Sequence, residues 1–415
     1  MKLSVAMMVR NEEEHLERCL NSVLEFFPEI IILDTGSSDR TVEIAQKFTR
    51  HVYHQSWKDN FALHRNKSFS YATGDWIMQI DADEEIIFDD PAYAKAFITY
   101  LSKLPKEINA CSFLLKDWRE SKNKFTAEHD VVRVFRNGQV RYKRRIHNEP
   151  MYRGDAALVK DGIWLKHYGY DLTPEQEEKK AERTVGLLEL SLKEDPKDYA
   201  SYFYLVQSYA SWKNDGDKAL ECAEKYFSLR DEMIEAGEDF NPSIFYTAAA
   251  ICDMAGNDKD KLKWLKRGFQ YNPGDLDLFW LQLLHGLKTK NPEFIVFGAR
   301  GFAVAYENYD KNRSVESGKF VFNRKLDSYV AALYYLATAN LEAAVTNIQK
   351  LQKIVLPQCE THIRDEVNTK LNRLLDVLGI SYTEVVDEEK SESDSTDIEH
   401  HNEKLSQAQR ASALH

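Results

Sequence analysis

Length, composition and charge set the first limits on this chain. It has 415 residues, enough for two or three domains, and 43% of them are hydrophobic and 12% aromatic, a composition that excludes a largely disordered protein. The formal net charge of -12 argues against a general affinity for nucleic acid or an anionic membrane. No apolar run approaches the roughly 20 residues that span a bilayer, and the five cysteines lack paired spacing. We therefore expect a cytoplasmic protein with reduced thiols and no transmembrane segment.

The first 170 residues or so alternate short apolar runs with helical patterns. Strands are predicted at 3–9, 30–33, 51–57 and 75–80, with a helix at 60–71 among the connections. This β-α-β-α-β order predicts an α/β domain with a parallel sheet covered by helices. Later strands have fewer helices between them, so we expect the sheet to become mixed. They are predicted at 110–115, 131–135 and 140–146.

From about Pro174 the strands give way to paired amphipathic helices. The predicted hairpins are 199–212 with 219–229, and 244–254 with 262–269. Hairpins recurring at this size resemble tetratricopeptide repeats, although the period is irregular. The segments beyond them are predicted as a loop at 310–325, a further helical pair at 326–351 and a disordered polar tail. The predicted domains are thus an α/β catalytic domain at 1–172, an all-α tetratricopeptide-like domain at 173–383 and the tail at 384–415.

Two sites at strand ends carry candidate chemistry. Asp34 ends a buried run and precedes small residues, and ligands of open α/β sheets bind just beyond the carboxyl ends of strands. Taken alone, it is more simply an ordinary turn residue. Asp81 and Asp83 follow another buried run, and their spacing of two places both carboxylates on one side of an extended segment. Such a pair suits a divalent cation that also holds a diphosphate, although most Asp-x-Asp sequences are solvated turns.

Arg65 lies near the start of the predicted helix 60–71, where a guanidinium can hold a phosphate, or can simply be a surface arginine.

Four motifs taken together resemble those of a known family. The motifs occur in order at Met8–Glu13, Leu33–Thr41, Asp59–Asn66 and Asp81–Glu84. They resemble those of the inverting nucleotide-sugar glycosyltransferases of family 2, which have the Rossmann-like GT-A fold, over residues 1 to about 170. A departure is His64, where relatives often carry Ala before Arg-Asn.

The resemblance implies a donor site and a metal. Carried over to these positions, Asp34 would bind the nucleobase and Arg65 would lie near the diphosphate. Asp81 and Asp83 would face the donor and a divalent ion, Mn²⁺ or Mg²⁺, with Asp83 the firmer ligand. A UDP-sugar is the expected donor. The other donor-binding positions in the same motifs are Val9, Asn11 and Ser37.

Later motifs narrow the resemblance. Arg133–Arg136, Arg145–Met151 and His167–Tyr170 precede the helical region. This arrangement is similar to a bacterial branch that joins a family 2 domain to tetratricopeptide-like helices. The branch includes the peptide S-glycosyltransferases that modify bacteriocin precursors (glycocins), which these motifs resemble most, and enzymes that build cell-surface saccharides. The resemblance implies a peptide or protein acceptor, and a helical domain that recruits it or pairs two chains as a homodimer.

An inverting transfer needs a base for the acceptor proton. Glu149 and Asp130 are the candidates, and we prefer Glu149 because it lies in the His-x-Glu stretch; its structural alternative is a salt bridge to Arg144 or Arg145. His147 is a candidate contact to donor or acceptor. His167 would complete the metal shell, unless it is a packed histidine beside Tyr168 and Tyr170.

Three other functions are compatible with parts of this pattern. The same chemistry could act on a saccharide or lipid-linked acceptor. A tetratricopeptide-like scaffold with a dead catalytic domain is a second possibility, and the presence of Asp34, Asp81 and Asp83 argues against it. Nucleotidyl transfer on a related sheet would want a Gly-rich basic loop near the N-terminus, and residues 8–11 are not one.

Overall fold

The computed structural model describes residues 1–308, 329, 331–335, 344–359 and 361–378. The predicted loop at 310–325 and the predicted tail at 384–415 lie outside the described residues, and so does part of the predicted helical pair at 326–351. The chain divides into two compact units, Met1–Lys213 and the residues from Asn214 onward.

The first unit contains ten strands and six α-helices among its residues. The strands are β1 (Leu3–Val9), β2 (Glu29–Asp34), β3 (Val52–His54), β4 (Trp76–Gln79), β5 (Glu84–Phe88), β6 (Ile108–Arg119), β7 (Lys124–Arg136), β8 (Val140–Lys143), β9 (Glu149–Tyr152) and β10 (Asp155–His167). The helices are α1 (Leu16–Leu24), α2 (Thr41–Phe48), α3 (Phe61–Phe69), α4 (Pro91–Lys103), α5 (Pro174–Glu194) and α6 (Tyr199–Ser211).

Eight of these strands form one mixed sheet in the order β3-β2-β1-β4-β7-β6-β10-β5. Strands β3, β2, β1 and β4 run parallel to one another. Strand β7 pairs antiparallel with both β4 and β6, and β5 pairs antiparallel with β10. The prediction of a parallel sheet that becomes mixed is confirmed. β8 and β9 form a separate two-stranded sheet.

The central strands are apolar on both faces because helices cover both faces. Met7 and Ile32 belong to a core cluster that includes residues of α1 and α4. Ala6 and Ile31 belong to a second cluster, which includes residues of α3. This burial of both faces explains the continuous apolar runs that predicted β1, β2 and β4, and it fixes where their polar ends emerge.

Some elements differ from the predicted ones. The strand predicted at 140–146 ends at Lys143, because Arg144 has a φ of 71°, in the left-handed region that no strand continues through. Elements β5, α4, β9 and β10 were not predicted. α5 and α6 belong to the same compact unit as the sheet, although the predicted domain boundary lies at 172/173.

The second unit is helical in its described residues. Its helices are α7 (Gly216–Ser228), α8 (Arg230–Glu235), α9 (Ser243–Met254), α10 (Asp258–Tyr271), α11 (Leu276–Thr289), α12 (Pro292–Asn308), α13 (Ala344–Lys350) and α14 (Thr361–Leu378). α9 packs against α10, and α11 packs against α12. None of the helices that the described residues form is both long and apolar enough to span a bilayer.

Candidate active site

The candidate site lies where the parallel strands end. β1, β2 and β4 are neighbours and run in the same direction, so their carboxyl ends meet at one edge of the sheet. Asp34 is the last residue of β2, and Asp81 and Asp83 follow β4. The three carboxylates that the sequence placed at strand ends therefore lie along the same edge.

Asp34 is almost fully buried and accepts hydrogen bonds at both carboxylate oxygens. Its Oδ1 accepts the Ser37 N–H at 3.0 Å, and its Oδ2 accepts the Gly36 N–H at 3.2 Å and lies 3.2 Å from Nδ1 of His54, the last residue of β3. Burial alone would raise the pKa of Asp34, but these hydrogen bonds hold it below its ordinary value. Asp34 is thus a fixed negative charge.

The loops after β1 and β2 are tied to each other. The N–H of Asn11 donates to Oγ of Ser37 at 3.0 Å, and Oδ1 of Asn11 accepts the N–H of Ser38 at 2.8 Å. The carbonyl of Val9 accepts the N–H of Thr35 at 2.9 Å. The structure therefore brings Val9, Asn11 and Ser37 together with Asp34.

Asp81 is held by an arginine and an amide. Both of its carboxylate oxygens lie 2.8 Å from Nη2 of Arg65, and Oδ1 also accepts from Nε2 of Gln79 at 2.9 Å. Nη2 of Arg133 lies 3.6 Å from Oδ2. Asp81 thus links α3, which carries Arg65, to the end of β4 and to β7.

A buried ion pair between Arg133 and Glu84 helps to hold Asp81 in place. Nη2 of Arg133 donates to Glu84, whose other oxygen accepts the N–H of Asp81 at 3.0 Å. Burial raises the pKa of Glu84 although Arg133 opposes the shift. Burial alone would lower the pKa of Arg133, but the adjacent carboxylates raise it. Removing either partner would leave an uncompensated buried charge. Both residues lie in the recognised motifs, but no role was predicted for them.

Asp83 faces His167, the last residue of β10. Its Oδ2 lies 3.4 Å from Nε2 of His167, while Nδ1 of His167 lies 2.7 Å from Oδ1 of Asp117 on β6. Burial alone would lower the pKa of His167, but the hydrogen bonds to Asp117 and Asp83 raise it to about 10. A Cβ on Gly169 would lie 2.0 Å from Oδ2 of Asp83, so only glycine leaves this pair its space.

Glu12 is a residue at this edge that the sequence reasoning missed. It is half-buried between the β1 and β2 loops, and its N–H donates to Oγ1 of Thr41 at 2.7 Å. Burial and the charges of Asp83 and Asp81 raise the pKa of Glu12 to about 8. The only signal in the sequence was its place in the Met8–Glu13 motif.

Most residues of this site lie within a segment that matches a known enzyme family. The family model described as "Glycosyl transferase family 2" matches residues 4–163, which contain the three edge carboxylates, Arg65 and Glu12. Residues 4–163 are a family 2 glycosyltransferase domain. Its mixed sheet is of the GT-A type predicted from the motifs.

Relatives extend the likeness beyond the family 2 domain. The TPR repeat-containing protein Synpcc7942_0270 of Synechococcus elongatus is 34% identical over 211 residues, which are 48% of this chain and 49% of that protein. The SPbeta prophage-derived glycosyltransferase SunS of Bacillus subtilis is 31% identical over 211 residues, 49% of this chain and 48% of that protein. The chain thus spans about half the length of the curated relatives it matches. Among solved structures, S. aureus TarS aligns with a TM-score of 0.36 at 14% identity, covering 63% of this chain and 54% of that one.

The predicted base candidates belong to β9 and β7 of the family 2 domain. Glu149 begins β9, is half-exposed and pairs with Arg144 at 3.3 Å, which is the structural alternative weighed for it. Asp130 is exposed on β7, paired in register with Leu114 of β6. Neither contact links these carboxylates to Asp81 or Asp83.

His147 is positioned by α6. It has a φ of 45° and stacks on Tyr204, with ring centroids 3.8 Å apart and planes 12° apart. Beside it, Arg145 pairs with Glu194 of α5 at 2.5 Å. The loop that carries the His-x-Glu stretch is therefore held by α5 and α6, both outside the family 2 domain.

His64 has a structural place. It is fully buried, its Nε2 accepts the N–H of Lys58 at 3.1 Å, and it stacks on Trp57 at 5.0 Å. Burial lowers its pKa, so the imidazole is neutral. The imidazole at this position, where relatives often carry Ala, thus packs in the core beside Arg65 and does not line the edge of the sheet.

The side chains at this edge could supply some, but not all, of the ligands of a divalent ion. In the described part of the chain, no group of three or more His, Cys, Asp or Glu side chains is arranged as a ready-made metal site. Asp83 and His167 nevertheless face each other, and Asp117 on the far nitrogen is the usual orienting partner of a ligating histidine. An ion at this pair would have to take its remaining ligands from phosphate and water, as Mg²⁺ does in many nucleotide sites.

Proposed function

We propose that this chain is a metal-dependent inverting glycosyltransferase that moves a hexose from a UDP-sugar to a Cys or Ser side chain of a peptide or protein. The observation that carries the proposal is the meeting of Asp34, Asp81 and Asp83 at one edge of the parallel strands of a family 2 domain. Ligands of open α/β sheets bind at such an edge.

Each carboxylate has a role that suits its surroundings. Asp34, a fixed anion at the end of β2, would accept hydrogen bonds from the nucleobase. Asp83 and His167 would hold Mn²⁺ or Mg²⁺, which offsets the negative charge of the departing nucleotide when bound. Asp81 stays with Arg65, and this pair would position a positive charge beside the diphosphate.

The acceptor side is proposed from the motifs. Glu149 is the proposed base, with Asp130 as the alternative and His147 as a contact to donor or acceptor. A cysteine thiol would need little help from a base, because it ionises near neutral pH. The helical unit from Asn214 onward would recruit the peptide or pair two chains, and the resemblance to the glycocin branch favours a peptide. The chain would act in the cytoplasm.

Replacing the proposed metal ligand tests the donor half. Asp83→Ala should lower release of UDP from UDP-glucose, UDP-galactose or UDP-N-acetylglucosamine by about a hundredfold or more, because charge on the leaving group is no longer offset. A coupled assay for UDP, run with Mn²⁺, with Mg²⁺ and with chelator, measures this.

Glu107→Ala serves as the control, since Glu107 is an exposed carboxylate just before β6, at the end of the sheet where β4 begins. Circular dichroism confirms that both variants fold. Full turnover by Asp83→Ala, or by the chelated wild type, would contradict the proposal. Transfer to saccharide acceptors with none to Cys- or Ser-containing peptides would replace the peptide acceptor by the alternative.

A further inference from the structure

Helix α5 begins 11 residues after the segment that matches the family model. It nevertheless brings two cations to the edge of the sheet where Asp34, Asp81 and Asp83 lie, which we call the donor edge. Lys180 and Arg183 are three residues apart on α5, so their side chains share one helical face. α5 belongs to the same compact unit as the sheet. Its attachment is visible in the Arg145–Glu194 ion pair.

Lys180 reaches the Asp83–His167 pair. Its Nζ donates to the carbonyl of Gly169 at 3.3 Å, and Gly169 is the residue whose missing Cβ leaves room for Asp83. Nζ also lies 4.5 Å from the ring centroid of Tyr170, and that ring meets His167 edge-on at 4.9 Å. Lys180 and Asp83 interact electrostatically, each favouring the charged form of the other.

Arg183 interacts with other residues of the same edge. Its guanidinium carbon lies 5.7 Å from the ring centroid of Phe61, the first residue of α3, and its charge interacts with Glu12. Glu12 in turn faces Asp81 and Asp83. The two cations of α5 thus flank the acidic end of the strands.

The positive charges of Lys180 and Arg183 are only partly offset by their acidic neighbours, so a bound anion would stabilise them. Burial lowers the pKa of Lys180 and of Arg183, so each cation is partly desolvated, and their acidic neighbours offset only part of that cost. A divalent ion at Asp83 would neutralise the carboxylate that now faces Lys180, which would leave the ammonium to a further anion. A diphosphate bound to that ion is such an anion.

We propose that Lys180 and Arg183 bind the diphosphate of the nucleotide-sugar donor, so that α5 is part of the donor site. The inference rests on the proposed function and deepens it. It places two donor-binding residues outside the segment that defines the family domain.

Calorimetric titration of the full chain with UDP and with UMP, in the presence of Mn²⁺, tests this proposal. Lys180→Ala and Arg183→Ala should each weaken UDP binding about tenfold, about 1.4 kcal/mol. UMP binding should weaken much less, because UMP lacks the second phosphate. Lys180→Arg should keep most of the UDP affinity, since the positive charge remains. The control is Lys179→Ala, a neighbouring exposed lysine paired with Glu175.

The outcomes separate the inference from the proposed function. Unchanged UDP binding by both alanine variants would overturn the inference and leave the proposed function standing. An equal loss for UDP and UMP would also overturn it, because that pattern means a distorted site. A raised KM for the acceptor with unchanged UDP binding would assign the cations to the acceptor instead. A wild-type chain that binds no UDP would overturn both.

Discussion

Asp117 determines which nitrogen of His167 faces the donor edge. Its Oδ1 lies 2.7 Å from Nδ1 of His167, so Nε2 is left to face Asp83. Asp117 is itself buried on β6, 50 residues before His167, and the pairing of β6 with β10 aligns the two residues in register. A histidine oriented in this way presents a lone pair to a metal once it is neutral.

Asp117→Asn should lower Mn²⁺ affinity about 10- to 100-fold, the usual effect of losing the orienting partner of a ligating histidine. Electron paramagnetic resonance of free Mn²⁺ measures this without any need for turnover. Asp155→Asn, an exposed carboxylate at the start of β10, is the matched control. If the two variants bind Mn²⁺ equally well, His167 is a packed histidine and not a ligand.

A second carboxylate acts on stability at the opposite edge of the sheet. Glu29, at the start of β2, is 7% exposed and pairs with Nζ of Lys2 at 2.8 Å; it also accepts hydrogen bonds from Ser4 and Thr73. Burial alone would raise its pKa, but these partners lower it to about 2. These contacts join the starts of β1, β2 and β4.

The pKa of Glu29 predicts how stability depends on pH. A folded-state pKa below the unfolded value near 4.5 adds stability above pH 4.5, and that stability is lost as pH falls from 4.5 through about 2. Glu29→Gln should therefore cost about 2 kcal/mol at pH 7, allowing for the half-exposed Lys2. Urea unfolding at several pH values measures the difference, which should vanish near pH 2. A constant difference at all pH values would mean that packing, not charge, is lost.

The residues that were predictable from sequence share one property: they follow runs whose burial is unambiguous. Asp34 ends one apolar run, and Asp81 and Asp83 follow another, so their place at the sheet edge followed from the pattern. Asp117 and Lys180 carry no such signal. Each reaches the site through pairing or packing between segments far apart in the chain, which periodicity does not report.

At the scale of elements, the strands of the parallel half of the sheet were predictable, whereas β5, β9 and β10 were not. β1 is apolar except for the buried Ser4, and its predicted and observed bounds agree. β10 carries Lys, Asp and Gly among its apolar residues, so it lacks a continuous apolar run, and it was not predicted. β10 is nevertheless the element that brings His167 to Asp83. The mixed half of the sheet thus holds the part of the site that sequence patterns reveal least.

At the scale of the whole molecule, the boundary between the two compact units differs from the predicted domain boundary. The predicted boundary at 172/173 separates the α/β domain from the helices that follow it, whereas the compact unit runs to Lys213 and includes α5 and α6. A chain cut at 172 would lose Glu194, the partner of Arg145, and Tyr204, on which His147 stacks. It would also lose Lys180 beside Gly169.

Truncation after residue 213 should therefore separate donor chemistry from acceptor use. The 1–213 chain keeps every donor-edge contact described above, so it should bind UDP and hydrolyse UDP-sugar within about threefold of the full chain, a change of less than 1 kcal/mol, while peptide glycosylation falls at least about tenfold. The 1–172 chain should lose both activities. Circular dichroism of each fragment checks folding, and mass spectrometry of a Cys- and Ser-containing peptide measures transfer. If the 1–213 chain glycosylates peptides as well as the full chain does, the residues from Asn214 onward do not recruit the acceptor, and pairing of two chains is the role left to test for them.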